Sequence, residues 1–333
     1  MSPGPPALAL PGATPQLEER LQQGMAEVDA LIRSTLDHED TFIAEASAHL
    51  ADAGGKRFRP LLTLLAAQLG SGANRRVVAA AAGVELTHLA SLYHDDVMDE
   101  ATMRRGVPSA NARYDNSTAI LIGDLLFGKA SELVAGLGDE AVRIQAQTFV
   151  RLCAGQIRDD RPCPAGVDPV DYYMGVLTDK TGVLIATAAR YGAMFSGADQ
   201  ERVEVMRHYG ERLGVAFQLV DDLIDISSEA SESGKTPGTD LREGVDTLAV
   251  IYAKASADPA DAPLQELLAR DLHENDLHDE ALALLRSSPA LERARARTRQ
   301  VGREARDVLA PLPDGDAKAA LVALVDSVVD RVG

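Results

Sequence analysis

The chain has no tryptophan, and phenylalanine and tyrosine together bring its aromatic content to only 4% of 333 residues. A core without rings must be built from aliphatic side chains. The supply of Ala and Leu favours helices, because both rank high in helix propensity while the aromatics that suit strands are scarce. Cysteine is nearly missing too: Cys153 and Cys163 stand alone. That argues against a disulfide framework and a thiolate zinc site, fits a reducing compartment, and makes a cytoplasmic location the expectation. Positive charge is in deficit, with 33 Lys and Arg against 51 Asp and Glu and a net charge of −18. The diffuse basic footprint that nucleic acid requires is absent, so no nucleic-acid partner is expected. Every long apolar stretch is broken by a charge within about 18 residues, the length a membrane span needs, so no span is expected either.

What is present is helical periodicity. Residues 1–15 carry Pro3, Pro5, Pro6, Pro11 and Pro15 and no charge, which reads as a disordered tail ahead of a single all-helical domain over 16–333. Apolar residues then recur at Leu21, Met25, Val28, Ile32 and Leu36, one face of a helix. Further helices are expected from Arg76 to Glu100, from Asp115 to Leu137, from an Asp168-Pro169 start toward Lys180, and from Gln200 to Ile226. Pro60 suits the first position of the helix after the basic loop Gly54-Gly55-Lys56-Arg57-Phe58-Arg59. Residues 231–240 read as a Ser/Gly/Pro loop around Lys235. Prolines punctuate the remaining helices, which lack a chemical motif and read as packing elements. The expected fold class is all-α, a single large helical bundle.

Two acidic motifs interrupt apolar helices. His94-Asp95-Asp96-Val97-Met98-Asp99 and Gln218-Leu219-Val220-Asp221-Asp222-Leu223-Ile224-Asp225 share the spacing Asp-Asp-x-x-Asp. At about 100° per residue the three carboxylates of each motif can face one point, and His88 lies on the stripe of Asp95. Carboxylates set among apolar residues need a counter-charge. Oxygen-only ligands suit Mg²⁺, Mn²⁺ or Ca²⁺, and Mg²⁺ characteristically completes its shell with phosphate oxygens, so a phosphorylated ligand is expected. A di-iron centre would require Glu-x-x-His twice, and only Glu85-Leu86-Thr87-His88 offers it. Cations that could receive a diphosphate stand at Lys56, Arg57 and Arg59, at Arg104 and Arg105, at Lys180 beside Thr181, and at Lys235.

The chain resembles the trans-isoprenyl diphosphate synthases, also called polyprenyl synthetases. The resemblance rests on G-G-K-R-F-R-P from Gly54, E-L-T-H-L-A-S-L-Y-H-D-D-V-M-D-E-A-T-M-R-R-G from Glu85, G-Q at Gly155, K-T at Lys180, F-Q-L-V-D-D-L-I-D from Phe217 and G-K-T-P-G-T-D-L-R-E-G from Gly234. It implies an all-α bundle around a central cavity, a homodimer, and condensation of isopentenyl diphosphate with an allylic prenyl diphosphate. It implies Asp95, Asp99 and Asp221 as Mg²⁺ ligands, three ions being held with substrate bound, and Asp96, Asp222 and Asp225 as completing the catalytic acids. By the same resemblance Arg104, Lys180, Thr181, Gln218 and Lys235 would hold the allylic diphosphate. Lys56, Arg59, His88 and Arg105 would hold isopentenyl diphosphate, with Arg57 in the same basic group. Two positions depart from the family pattern: Val245 stands where it often has lysine, and Ala249 where it has proline.

In this family the residues ahead of the first acidic motif wall the pocket into which product grows. Here they are Leu86, Thr87, Ala90 and Ser91, without an aromatic ring. The expectation is therefore a long-chain all-trans product of the menaquinone side-chain type. The alternatives are a short-chain farnesyl or geranylgeranyl diphosphate synthase, a terpene cyclase, which the second acidic motif disfavours, and a non-catalytic subunit of a heteromeric synthase, which would have no need of six carboxylates.

Overall fold

The computed structural model describes residues 12–227 and 237–332. Thr14 caps the first helix by accepting from Leu17 N, and Pro15 occupies its first turn, so α1 (Pro15–Leu36) begins where the prolines end. It buries Leu17, Leu21, Val28, Ile32 and Leu36, so the stripe read from the sequence faces inward except that Met25 is only half-buried. Most of the expected tail, up to residue 11, lies outside the described residues. Asp40 caps α2 (Thr41–Asp52). Helix α3 (Phe58–Ala66) opens at Phe58, with Arg57 at its N-cap in the left-handed region. Pro60 is thus the third helical residue instead of the first. Its missing N–H costs nothing there either, since the N–H groups of the whole first turn have no partner within a helix.

Helix α4 (Arg75–Met98) starts at the expected place, with the Asn74 side chain accepting from Arg76 N and Val77 N. It is apolar nearly all round and buries Val77, Val78, Ala80 through Leu86, Leu89, Ala90 and Tyr93, as a helix surrounded by protein must. Its main neighbour is α6 (Asn116–Ala135), capped by Asp115 through Thr118 N at 2.7 Å. Glycines let the two approach: a Cβ on Gly123 would overlap the His94 ring and lie 3.3 Å from Ala90 O, and one on Gly83 would lie 3.0 Å from Val134 Cγ2. Between α4 and α6 lie the short helix α5 (Ala110–Arg113) and, before it, strands Met103–Arg104 and Val107–Pro108, which form a two-residue antiparallel ladder, the only sheet among the described residues. Arg105 (φ 53°) and Gly106 (φ 77°) make its turn, and two successive positive φ values are the signature of the tight hairpin turn that matches strand twist.

After α7 (Asp139–Asp159), Asp168 caps α8 (Pro169–Leu177) by accepting from Val170 N and Asp171 N, as the sequence implied. One turn of π-helix, Thr178–Gly182, then precedes α9 (Val183–Phe195). The long α10 (Gln200–Ser227) carries the second acidic motif. Its Leu219, Leu223 and Ile226 pack with Leu248, Ile251, Leu285, Ala294 and Val301, so the helices beyond Lys254 do act as packing elements. Much of the expected 231–240 loop, including Lys235, lies outside the described residues, while Thr239–Arg242 is a helical turn.

The chain divides into two compact units. The first comprises the chain up to Val150, Leu184–Gly210 and Pro311–Ala323; the second comprises Arg151–Val183, Glu211–Ala310 and the chain from Leu324. The all-α class is as expected. No helix among the described residues is long and apolar enough to cross a membrane.

Candidate active site

In the first unit the basic loop and the hairpin bring four arginines together. Gly54 (φ 86°) and Gly55 (φ 142°) adopt backbone angles that favour glycine, and a Cβ on Gly55 would lie 2.9 Å from the guanidinium carbon of Arg105. The two glycines therefore let Arg105 reach back to α2, where it donates to Leu50 O at 2.8 Å and to Gly54 O. Arg57 donates to Ala51 O at 3.1 Å. Both guanidiniums thus satisfy carbonyls at the end of α2, the end where a helix concentrates partial negative charge. Arg57 also pairs with Asp29 at 3.2 Å and with the buried Glu85 at 2.8 Å. The Glu-x-x-His glutamate is thereby an ion-pair partner of Arg57.

Arg59, unlike Arg57 and Arg105, has unmet demand. The Arg59 Nε is buried without a hydrogen-bond partner. Burial pushes its guanidinium down to about 10, with Glu85 opposing and Arg105 adding to the shift. His88, half-buried, is held well below the usual histidine range by burial and by Arg59, Arg105, Arg104 and Arg57. Burial, with Arg57 and Arg104 adding to it against Glu85, likewise lowers Arg105. Lys56 is exposed on the loop beside them. An incoming anion would supply the acceptor that the Arg59 Nε lacks and would offset the mutual repulsion of the guanidiniums.

The first acidic motif is split by its surroundings. Asp96 is fully buried and takes Arg104 Nε at 2.6 Å, while its Oδ2 has no hydrogen-bond partner. Asp95 is half-buried, and Asp99 is exposed at the C-cap of α4 with Arg104 NH2 3.8 Å away. In the second unit the pattern recurs. Asp222 is buried and accepts from Gln218 Nε2 at 3.0 Å and from the Tyr173 hydroxyl. Burial raises its carboxyl to about 6 against the pull of these two bonds. Asp225 accepts from the backbone N–H groups of Thr239 and Asp240 at 3.2 and 3.1 Å, which anchors the turn after the 228–236 segment. Asp221 is more open and lies 3.5 Å from Arg331 NH1. The expectation that the three carboxylates of a motif face one point is therefore corrected. Among the described residues no group of three His, Cys, Asp or Glu side chains is gathered closely enough to hold an ion unaided. A helix that is buried on most sides has to send its second aspartate inward, so Asp96 and Asp222 become anchors while Asp95, Asp99 and Asp221 keep access to solvent.

Lys180 and Thr181 sit on the π-turn. Lys180 pairs with Asp159 Oδ2 at 2.5 Å, and Thr181 donates to Gln218 Oε1 at 3.2 Å. The turn passes close to α7 at Gly155, where a Cβ would lie 2.8 Å from the Asp179 carbonyl carbon and 2.9 Å from Lys180 Cα. Thr181, Gln218, Asp222 and Tyr173 thus form one hydrogen-bonded chain within the second unit. Sequence reasoning passed over Tyr173 and Asp159. Tyr173 stands two turns before Lys180, a spacing that could have marked it as sharing that helical face.

The residues expected to set product length are placed as follows. Leu86, Thr87 and Ala90 are fully buried, and Ser91 donates to His88 O at 2.9 Å. Thr87 donates to Gly83 O and accepts from Gln145 Nε2, both at 2.8 Å.

Comparison with known proteins gives the family. The polyprenyl synthetase family model matches residues 40–285. A nonaprenyl diphosphate synthase from Mycobacterium tuberculosis is 49% identical over 94% of this chain and 94% of its own length. Among solved structures, a geranylgeranyl pyrophosphate synthase from Corynebacterium glutamicum, complexed with calcium and isoprenyl diphosphate, is 43% identical with a TM-score of 0.87, over 96% of this chain and 98% of that one. A decaprenyl diphosphate synthase from Rhodobacter capsulatus is 38% identical with a TM-score of 0.86, over 96% and 99%. The chain belongs to the polyprenyl synthetase family, the family its motifs resemble, and is a prenyltransferase.

Proposed function

We propose that the chain is a Mg²⁺-dependent synthase that condenses isopentenyl diphosphate with an allylic prenyl diphosphate and repeats the step to a long all-trans polyprenyl diphosphate, for use as a menaquinone side chain. The observation that carries the reading is the pair of desolvated guanidiniums of Arg59 and Arg105 beside the neutral imidazole of His88, with a buried Arg59 nitrogen that has no hydrogen-bond partner among the described residues. Lys56, Arg59, His88 and Arg105 would take isopentenyl diphosphate, with Arg57 holding the loop in place. Arg104, Lys180, Thr181, Gln218 and Lys235 would take the allylic diphosphate.

The donor set for metal is all oxygen, which fits a hard cation, and the three accessible aspartates Asp95, Asp99 and Asp221 would hold it, three ions being bound with substrate. When bound, Mg²⁺ supplies Lewis-acid neutralisation of the diphosphate oxygens. The arginines and Lys180 add fixed positive charge where negative charge builds as the allylic C–O bond breaks, which is electrostatic stabilisation of the transition state. The double bond of isopentenyl diphosphate then attacks the allylic carbon, and the proton lost from the adduct goes to the departed diphosphate. No protein nucleophile takes part.

The names of the Mycobacterium and Rhodobacter relatives support a long product, as do the small residues at Ala90 and Ser91. A short-chain product is the second reading, favoured by the Corynebacterium relative and by the burial of Ala90 against the close contact between α4 and α6. The purified chain alone, given Mg²⁺, is expected to consume isopentenyl diphosphate in the presence of an allylic primer, to stop on addition of a chelator, and to resume when Mg²⁺ is restored. Activity that persists after chelation would refute the metal dependence, and no activity without a second polypeptide would favour a non-catalytic subunit.

We also propose a homodimer, with a second copy covering the apolar face of α6 and α7. Leu121 and Val150 are 66% and 67% exposed there, beside Ile120 and Phe149.

A further inference from the structure

One residue at the end of α2 has no part in the reading above. His49 is buried. Its Nε2 lies 2.8 Å from Pro108 O on the returning strand of the hairpin, and its Nδ1 lies 3.2 Å from Arg113 NH1. A carbonyl can only accept and a guanidinium can only donate, so these partners assign the proton to Nε2 and the lone pair to Nδ1. The ring is held edge-on to Tyr114, at 5.7 Å between centroids. Arg113 in turn lies over Tyr114 at 5.2 Å and pairs with Glu45 of α2. Neighbouring residues of the same turn, Leu50 and Ala51, are those whose carbonyls accept from Arg105 and Arg57. The last turn of α2 therefore grips the hairpin twice, through Arg105 at its tip and through Pro108 on its return strand. A ladder of two residues per strand cannot hold its own shape, because even longer isolated hairpins are marginal in water.

We propose that His49 is a positioning residue for substrate binding: by fixing Pro108 it sets the hairpin so that Arg105 is aimed at the diphosphate of isopentenyl diphosphate before that substrate arrives. This rests on the assignment of Lys56, Arg59, His88 and Arg105 to isopentenyl diphosphate. It adds a residue that touches no substrate and would act through the preorganisation of one that does.

The test compares His49→Leu, His49→Gln and Lys56→Ala by steady-state kinetics with each substrate varied in turn. His49→Leu is expected to raise the KM for isopentenyl diphosphate about three- to tenfold, the scale of one lost hydrogen bond, while the KM for the allylic primer stays unchanged. His49→Gln, whose side-chain N–H can reach the same carbonyl, is expected to recover most of the loss. A His49→Leu enzyme with both KM values raised alike, or with neither raised, would overturn the proposal, as would a Gln variant no better than Leu. If His49→Leu does not fold, Arg113→Met decides: it removes the bond to Nδ1 from an exposed position and should raise the same KM by a smaller factor, and an unchanged KM would count against the role. Lys56→Ala separates the two layers. If it leaves the KM for isopentenyl diphosphate unaltered, the underlying site assignment fails; if it raises that KM while His49→Leu does not, only the positioning role fails.

Discussion

Arg59 and His88 are desolvated by the same surroundings, and their sequence context explains only part of that. The stripe that puts His88 near Asp95 follows from helical geometry. The four arginines that converge on it do not, because they come from a loop and a hairpin whose fold depends on Arg57 and Arg105 adopting left-handed angles. Left-handed backbone is uncommon for arginine, so no propensity argument would have placed either residue there. The same limit explains Asp96 and Asp222: period and spacing identify the two motifs, but which carboxylate turns inward depends on partners outside the motif's own helix, Arg104 in the hairpin and Tyr173 on α8. One consequence of the arginine cluster can be measured. The folded-state pKa of His88 lies below the 6.5 of an ordinary histidine. Below pH 6.5 the unfolded chain therefore binds a proton that the folded chain does not, and stability must fall as the pH drops through that range. The His88 contribution is about 1.4 kcal/mol per pH unit at most. Urea unfolding across this range should show a shallower acid-side slope for His88→Gln than for the parent, and equal slopes would mean that His88 titrates normally.

At the scale of elements, helix starts were the most legible feature: the expected starts near Arg76, at Asp115 and at Asp168 coincide with helices begun by Asn74, Asp115 and Asp168, whose side chains bond N–H groups that the helix leaves unpaired. The π-turn at Lys180 was not legible, since nothing in Thr-Asp-Lys-Thr-Gly departs from an ordinary helical pattern. It is recognised only in the folded chain, where Gly155 admits the backbone of the turn. Such single turns of π-helix recur at functional sites, which is consistent with the proposed role of Lys180 and Thr181. Helices α6 and α7 raise a different issue. Phe127 and Phe149 join them at 4.4 Å between centroids, yet the neighbouring Leu121 and Val150 are left to solvent. Exposed apolar side chains are what the proposed homodimer would cover, and a two-fold dimer would bury the same residues on both copies. Sedimentation is expected to give a mass near twice 35.3 kDa for the parent and 35.3 kDa for the double variant Leu121→Lys, Val150→Lys. A monomeric parent would exclude the dimer, and a variant that remains dimeric would move its interface elsewhere.

At the scale of the whole molecule, the acidic composition conceals a local inversion. The net charge of −18 is incompatible with a general affinity for polyanions, yet Arg57, Arg59, Arg104 and Arg105 are packed together in one unit, where Arg57 pairs with Asp29 and Glu85 and Arg104 with Asp96 and Asp99. A chain selected merely for solubility would not desolvate the guanidiniums of Arg59 and Arg105. The poverty in aromatic residues has a local counterpart as well: α4 reaches its acidic motif past Gly83, Leu86, Thr87, Ala90 and Ser91 without one large ring until Tyr93, whose hydroxyl is turned away to Ala46 O. The relatives span geranylgeranyl to decaprenyl products by name, so family membership leaves product length open. It is decided by incubating the purified enzyme with labelled isopentenyl diphosphate, Mg²⁺ and farnesyl diphosphate, and sizing the products of the parent and of Ala90→Phe by chromatography. The parent is predicted to elongate beyond geranylgeranyl diphosphate and Ala90→Phe to stop earlier; a parent product no longer than geranylgeranyl, or a distribution unchanged by the phenylalanine, would contradict the account.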